Sequence, residues 1–339
     1  MKVIIDTLGG DLAPNAMIEG AILALKNDPQ LELVMVGSGA VIEPALARLD
    51  KAGKFKTRTE IIEATENITC DEQPVAAIKA KPNSSIVQGL TALKTRDDCG
   101  AFVSAGSTGA VLTGAFLKVG RIEGVSRPAL SPLLPTKTGK PFMIIDVGAN
   151  MDCKPVNLVH FALMGSVYMR ALGRDNPRVA LVNVGTEDAK GNELTHQTFA
   201  ELTRLHDKKE INFVGNMEAR EAFSGDFDVL VCDGFVGNVL LKTTEGTLSF
   251  TMSKVKNCMR GFFGTIGKLF LASRLLKMKR QVSEDTAGGA LFMGLKKPVI
   301  KAHGNSKPAA FASAIAVASR AAAMNLGEEI KKAVALVSE

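Results

Sequence analysis

The chain has 339 residues, 46% of them apolar and 22% charged, which excludes disordered, collagenous and small disulfide-stapled proteins and predicts a large core in about two domains or subdomains. Its net charge of +6 is local: eight basic and no acidic residues lie between Met252 and Val282, leaving −2 for the rest, so affinity for a polyanion or an anionic membrane is confined to one surface. Five scattered cysteines (Cys70, Cys99, Cys153, Cys232, Cys258) form no C-x-x-C pair, which argues against a disulfide framework or thiolate zinc site and predicts a reducing compartment.

In chain order, Met1 leads straight into the strand-like KVIID, with no signal-peptide pattern. Short β-rich runs then alternate with helical patterns. The predicted strands are Val3 to Asp6, Leu31 to Val36, Glu60 to Ala64, Ala101 to Ser104, Phe142 to Asp146, Arg178 to Val184, Ile211 to Val214, Val229 to Cys232 and Pro298 to Lys301. Such alternation predicts an α/β fold with a mainly parallel sheet covered on both faces and a ligand at the strands' carboxyl ends. The proline-rich SRPALSPLLPTKTGKP, residues 126–141, is the expected crossover between two α/β halves, which together make residues 1–339 a single catalytic unit. PAAFASAIAVAS, from 308, falls short of the roughly 18 residues that span a bilayer and is predicted to be a buried helix.

Polar, glycine-rich loops follow the strands: DTLGGDLAPN, SAGSTGA, DVGANMDCKP, NVGTEDAKGN, GNMEAR, CDGFVGN and KAHGNS. All seven are expected on one edge, lining one cleft. In SAGSTGA, Ser107, Thr108 and Gly109 open a helix, where free N–H groups and the helix dipole favour an anion; a plain N-cap and tight turn is the competing reading. GSGAVIEPAL, from 37, lacks the third glycine of a dinucleotide fingerprint and reads as a turn. In DVGAN, Asn150 flanks a turn. CDGFVGN puts Asp233 at a strand end and Asn238 before an apolar helix, as its expected cap. Lys190, Lys301 and His303 bring cationic or switchable groups to the same edge, whereas His160, His196 and His206 sit in helical patterns and are read as structural. No nucleophile elbow, H-E-x-x-H or metal-type cluster occurs, which suits a reaction whose substrate brings its own nucleophile.

DTLGGDLAP, VSAGSTGAVL, GRIEGVSRPAL, DVGANMDCKPVNLVHFALMGSVY, NVGTEDAKGNEL, INFVGNMEAR, VCDGFVGNVLLKTTEG and IKAHGNS, in order from residue 6 to 306, resemble the bacterial phosphate acyltransferases of phospholipid synthesis, the PlsX family. The chain departs from that pattern at Ser107, usually Asn, and at Thr7 and Leu8, usually Ala-Met. The resemblance implies an isocitrate/isopropylmalate-dehydrogenase-like α/β/α sandwich and a homodimer without metal or organic cofactor. It implies transfer of a fatty acyl group from acyl-acyl carrier protein to orthophosphate, for use by a downstream glycerol-3-phosphate acyltransferase. It also implies a cytoplasmic enzyme peripherally associated with the membrane. On this reading Ser107, Thr108 and Gly109 bind phosphate with Lys190 or Lys301, Asn150 and Asn238 orient the acyl carbonyl, and Asp233 or His303 handles the proton. Alternatives are a phosphate acetyl- or butyryltransferase or a decarboxylating dehydrogenase of related fold, and, outside enzymes, a membrane-tethering or nucleic-acid-binding module. Nucleic acid is disfavoured because the remaining chain is slightly acidic and the aromatics of the basic segment sit at apolar positions.

That segment, within residues 245–283, carries a helical stripe from Met252 to Phe270 broken by Gly261, Gly264 and Gly267. It predicts a basic amphipathic helical hairpin whose Phe262, Phe263, Leu269 and Phe270 contact the membrane, the dimer partner, or both.

Overall fold

A computed structural model of the chain describes residues 1–261, 270–271, 273–274 and 288–337. The chain opens with β1 (Lys2–Asp6), α1 (Asn15–Asn27), β2 (Leu33–Gly37), α2 (Gly39–Leu49) and β3 (Thr59–Glu63). It continues through α3 (Pro74–Ala80), α4 (Ser85–Thr95), β4 (Cys99–Ser104), α5 (Thr108–Lys118), β5 (Ala129–Leu134), β6 (Phe142–Ile145) and α6 (Pro155–Ala171). Then come β7 (Arg178–Asn183), α7 (Glu193–Asp207), β8 (Asn212–Glu218), β9 (Val229–Val231) and α8 (Gly234–Cys258). After the undescribed stretch follow β10 (Ala290–Met293), β11 (Val299–Lys301), α9 (Pro308–Met324) and α10 (Gly327–Val334).

The described strands form one eleven-stranded sheet, ordered β3-β2-β1-β4-β11-β10-β5-β6-β9-β7-β8. Its strands read as continuous apolar runs because successive side chains enter different layers. Val3 and Ile5 of β1 pack with α1 and α9 on one face, while Ile4 packs with α4 and α5 on the other. The same split separates Ala101 and Val103 from Phe102, and Met143 and Ile145 from Phe142 and Ile144. The Ala-rich run near the C-terminus is α9, with Phe311, Ala314, Ile315 and Ala318 buried as expected. Among the described residues, no single helix is long and apolar enough to cross a membrane.

The sheet is mostly parallel, with two exceptions in its middle. All nine expected strands are present, and β5 and β10 were not among them. β10 runs antiparallel to both β11 and β5, and β5 runs antiparallel to β6. The parallel group β3-β2-β1-β4-β11 and the parallel group β6-β9-β7-β8 therefore run in opposite directions. This corrects the expectation of seven loops on one edge. The loops DTLGGDLAPN, SAGSTGA and KAHGNS leave one edge of the sheet, and DVGANMDCKP, NVGTEDAKGN and CDGFVGN leave the other, while GNMEAR, expected as a loop, is mostly strand, since Gly215 to Glu218 belong to β8.

β5 lies inside the proline-rich stretch read as a crossover. Its residues Ala129 to Pro132 pair with β10, and Leu133 and Leu134 pair with β6. Pro132 stands where the partner changes. A proline lacks the ladder donor and would interrupt an ordinary central strand. GSGAVIEPAL, read as a turn, instead enters α2 at Gly39 directly after Ser38.

Candidate functional site

The near edge is built by three neighbouring strands that end together. Asp6, Ser104 and Lys301 are the last residues of β1, β4 and β11, which are adjacent and parallel. Ser104 and Lys301 are register partners. Ser104 Oγ donates to Asp6 Oδ2 at 2.6 Å and accepts from the Gly106 N–H at 3.0 Å. Asp6 Oδ1 accepts from Leu8 and Gly9 N–H groups, both at 3.0 Å, so the carboxylate pins its own loop as well as that of β4. Asp6 and Ser104 are fully buried.

Lys301 is largely buried at the end of this row. Its Nζ donates to the Ala105 carbonyl at 3.3 Å and to the Ala302 carbonyl. Burial lowers its pKa to about 8; the acidic groups of Cys70, Asp6 and Asp11 oppose that shift, and the charge of Lys242 adds to it. An ammonium has three protons, and the two carbonyls leave one for a ligand.

Ala105 stands two residues before Ser107, so the Lys301 ammonium lies beside the start of α5. Ser107 is buried and is the N-cap, its Oγ accepting from the Ala110 N–H at 3.5 Å. Thr108 is exposed. Gly109 has a packing reason of its own: a Cβ there would lie 2.8 Å from Cγ of Pro74, at the start of α3. The loop therefore offers the amino end of α5 next to a cation, with the serine hydroxyl engaged in capping. His303 is exposed, two residues beyond Lys301, and its carbonyl accepts from the Ser306 N–H at 3.0 Å.

At the far edge the DVGAN turn closes around Asp146. This fully buried carboxylate accepts from the N–H groups of Leu130 (2.8 Å), Gly148 (3.2 Å), Ala149 (3.1 Å) and Asn150 (2.7 Å). Burial still pushes its pKa up against those donors. Asn150, buried, gives Nδ2 protons to Asp146 Oδ2 at 2.9 Å and to the Pro128 carbonyl at 2.8 Å. Both amide protons are thus committed to the turn, and the geometry makes Asn150 a strut rather than a free donor for an acyl carbonyl.

The start of α8 packs on this turn. The Gly234 N–H donates to the Asn150 carbonyl at 2.7 Å, and a Cβ at Gly237 would fall 1.8 Å from the Asp146 carbonyl oxygen. The cap of α8 is Asp233, whose Oδ1 accepts from the Val236 N–H at 2.8 Å. Asn238, expected as the cap, is instead an exposed residue of the second turn, because the helix already begins at Gly234. Its Oδ1 lies 3.9 Å from where a Cβ on Gly148 would stand. Lys190 sits in the exposed loop after β7, where its carbonyl accepts from Asn183 Nδ2 at 2.9 Å. It belongs to the far edge, whereas Lys301 belongs to the near edge with Ser107.

α8 connects the two edges. Leu240 and Leu241 pack into the layer that also holds α5, and Lys242, one turn beyond Asn238, is close enough for its charge to act on Lys301. Burial pushes the thiols of Cys99 and Cys153 up to about 11 and 12 and that of Cys232 well up, which keeps all three protonated and poor as nucleophiles. Of the basic-segment residues, Phe270 is 80% exposed, while Phe262, Phe263 and Leu269 lie outside the described residues.

Asp6, Ser104 and Lys242 were not assigned from sequence. For the first two a signal exists: each is the polar last residue of an otherwise apolar run, KVIID and CGAFVS. Lys242 carries none, since its place follows only from how α8 crosses the sheet.

The family described as "Fatty acid synthesis protein" matches residues 1–329. The chain is 46% identical to a phosphate acyltransferase of Clostridium perfringens, over 93% of this chain and 91% of that one. It is 41% identical to a phosphate acyltransferase of Thermoanaerobacterium thermosaccharolyticum, over 100% and 98%. Among solved structures it shares a fold with a phosphotransacetylase of Streptococcus pyogenes at 17% identity, TM-score 0.63, over 95% of this chain and 94% of that one. A branched-chain phosphotransacylase of Enterococcus faecalis superposes with TM-score 0.59 at 12% identity, over 95% and 99%.

Proposed function

The chain belongs to the phosphate acyltransferases of fatty acid synthesis, enzymes that transfer an acyl group to phosphate, and from that premise we propose that its acyl donor is an acyl-acyl carrier protein thioester and its phosphate site is the near edge. The observation that carries the site is the contact of Lys301 Nζ with the Ala105 carbonyl, which sets an ammonium beside the amino end of α5. Orthophosphate lies there against Lys301 and the first N–H groups of the helix at Ser107, Thr108 and Gly109. Lys301 is favoured over Lys190 because Lys190 leaves the opposite edge of the sheet.

A phosphate oxygen attacks the acyl carbonyl, a tetrahedral oxyanion forms, and the thiolate leaves. The bond made is P–O–C(acyl) and the bond broken is C–S. One fixed donor aimed at such an oxyanion is worth about 3 kcal/mol. Asn238, exposed on α8 one turn before Lys242, supplies that donor, and His303, on the same edge as Lys301, takes up the proton of the attacking phosphate in preference to Asp233, which caps α8 at the far edge. A thiol with a pKa near about 8.5 departs with little need of an acid. Turnover with acyl-acyl carrier protein and phosphate, read as acyl phosphate, tests the donor. Formation from the carrier-protein thioester ahead of the coenzyme A thioester is expected; the reverse order refutes the donor assignment.

We further propose that residues 1–339 act as one catalytic unit in a homodimer that binds membranes peripherally from the cytoplasm and passes its product to a glycerol-3-phosphate acyltransferase. Apolar residues exposed on α8, with Phe235 and Phe250 both 63% exposed, support a partner surface there. The eight cations between Met252 and Val282 favour an anionic leaflet. Changing Phe262 and Phe263 to Ser should weaken binding to anionic vesicles and spare turnover; unchanged vesicle binding refutes the membrane role.

A further inference from the structure

Lys301 is partly buried at the end of its strand, and an ammonium drawn out of water tends to lose its proton unless a counter-charge is held nearby. The residue that supplies one stands two strands away in the row of strand ends. Asp6 is fully buried, is fixed by the N–H groups of Leu8 and Gly9 and by Ser104 Oγ, and Ser104 is the register partner of Lys301. We propose that Asp6 is a positioning residue for phosphate binding: through Ser104 it holds a carboxylate in the row of strand ends that Lys301 closes, two strands away, and so keeps that ammonium charged for the incoming phosphate. The inference rests on the reading of Lys301 as the phosphate cation.

The groups acting on Lys301 come from four places. They are Asp6 at the end of β1, Asp11 in the loop after it, Cys70 in the loop before α3, and Lys242 on α8. Asp11 and Cys70 are exposed and solvent weakens their hold, while Lys242 works against the ammonium. Asp6 is the buried anion of the set. Burial also explains its elaborate tethering, because a buried carboxylate needs its oxygens hydrogen-bonded, and Asp6 receives three such bonds.

The test is the pH dependence of kcat/KM for inorganic phosphate in the full-length enzyme, from about pH 6.5 to about 9.5, in wild type, Asp6→Asn and Lys301→Arg. Lys301→Arg, whose guanidinium stays protonated, should remove the alkaline limb. Asp6→Asn should move that limb down by about one pH unit and raise the phosphate KM more than it lowers kcat. If Lys301→Arg leaves the limb in place, the reading of Lys301 fails. If that variant removes the limb but Asp6→Asn leaves it unmoved, or lowers activity equally at every pH, the inference about Asp6 fails while the reading of Lys301 stands. Should Asp6→Asn not fold, Ser104→Ala frees Asp6 Oδ2 from its tether and should also displace the limb. A limb at the wild-type position in that folded variant overturns the inference.

Discussion

Ser104 and Lys301 are paired residues at the ends of adjacent parallel strands, and the hydroxyl of Ser104 joins that pair to the buried carboxylate of Asp6 at 2.6 Å. Three side chains of different chemistry thus end three neighbouring strands on the edge from which the SAGSTGA loop departs. The arrangement sets a cation beside the amino end of α5 with its counter-charge fixed one strand beyond Ser104.

On the proposed reading, Lys301 serves phosphate binding at a cost in stability. Its folded pKa of about 8 lies below its ordinary 10.5, so between those values the unfolded chain binds more protons and stability rises with pH. Replacing it with Met should stabilise the protein by at most about 2–3 kcal/mol at pH 7. The gain should shrink as pH rises above about 8 and vanish above about 10.5, as read by urea unfolding across pH. A variant less stable than wild type at neutral pH contradicts this.

Asn150 should behave as structure. Asn150→Ala removes two donors and leaves Asp146 Oδ2 short of one bond and the Pro128 carbonyl without this partner. Loss of about 1–3 kcal/mol is expected in denaturant unfolding, with the phosphate KM little changed in the folded fraction. Wild-type stability with abolished turnover would instead return Asn150 to the chemistry.

Gly237 is where α8 meets the Asp146 turn. A methyl group there would stand 1.8 Å from a backbone carbonyl oxygen, which no side-chain rotation relieves. Gly237→Ala should cost about 3 kcal/mol and displace the start of α8, seen as lost activity together with a lowered melting temperature. Gly246, in the same helix with nothing near its Cβ position, should accept Ala without loss.

Glu60 belongs to a cluster at the opposite edge of the sheet from Lys301. Arg96 donates to it in a bidentate pair, Lys2 adds a bond at 3.1 Å, and the hydrogen bonds of Arg96 hold its pKa down to about 2. A lowered carboxylate pKa gives stability that is complete above the unfolded value of 4.5 and lost as pH falls through about 2. Glu60 is 40% exposed, so solvent screening limits the effect to roughly 1 kcal/mol. Glu60→Gln should be less stable than wild type at pH 7, with the difference closing as pH drops from about 4.5 toward 2. A difference that persists unchanged in acid would assign the loss to packing.

Much of the fold was legible because its strands obey simple patterns. KVIID and CGAFVS are short apolar runs with a polar residue at the carboxyl end, and their alternate residues enter two layers as a two-sided sheet requires. β5 and β10 escaped because ALSPLL holds a proline at the point where its partner changes, and ALFM is four residues after two glycines. These two strands reverse the direction of half the sheet, so missing them placed all seven loops on one edge. Within the proposed site, the strand-end positions of Lys301 and the SAGSTGA loop were recognisable in the sequence. The commitment of Asn150 to the Pro128 carbonyl was not, since the two lie 22 residues apart, and the capping by Asp233 was missed because the helix was expected after Asn238 and instead begins at Gly234.

The most direct measurement is acyl phosphate formation with phosphate varied, in wild type and Lys301→Met. Loss of the ammonium should lower kcat/KM for phosphate by about 10²–10³-fold, most of it in KM, while the variant stays folded and still binds the acyl donor. Turnover within a factor of about two of wild type at every phosphate concentration would contradict it, because an oriented cation that matters is worth far more than that.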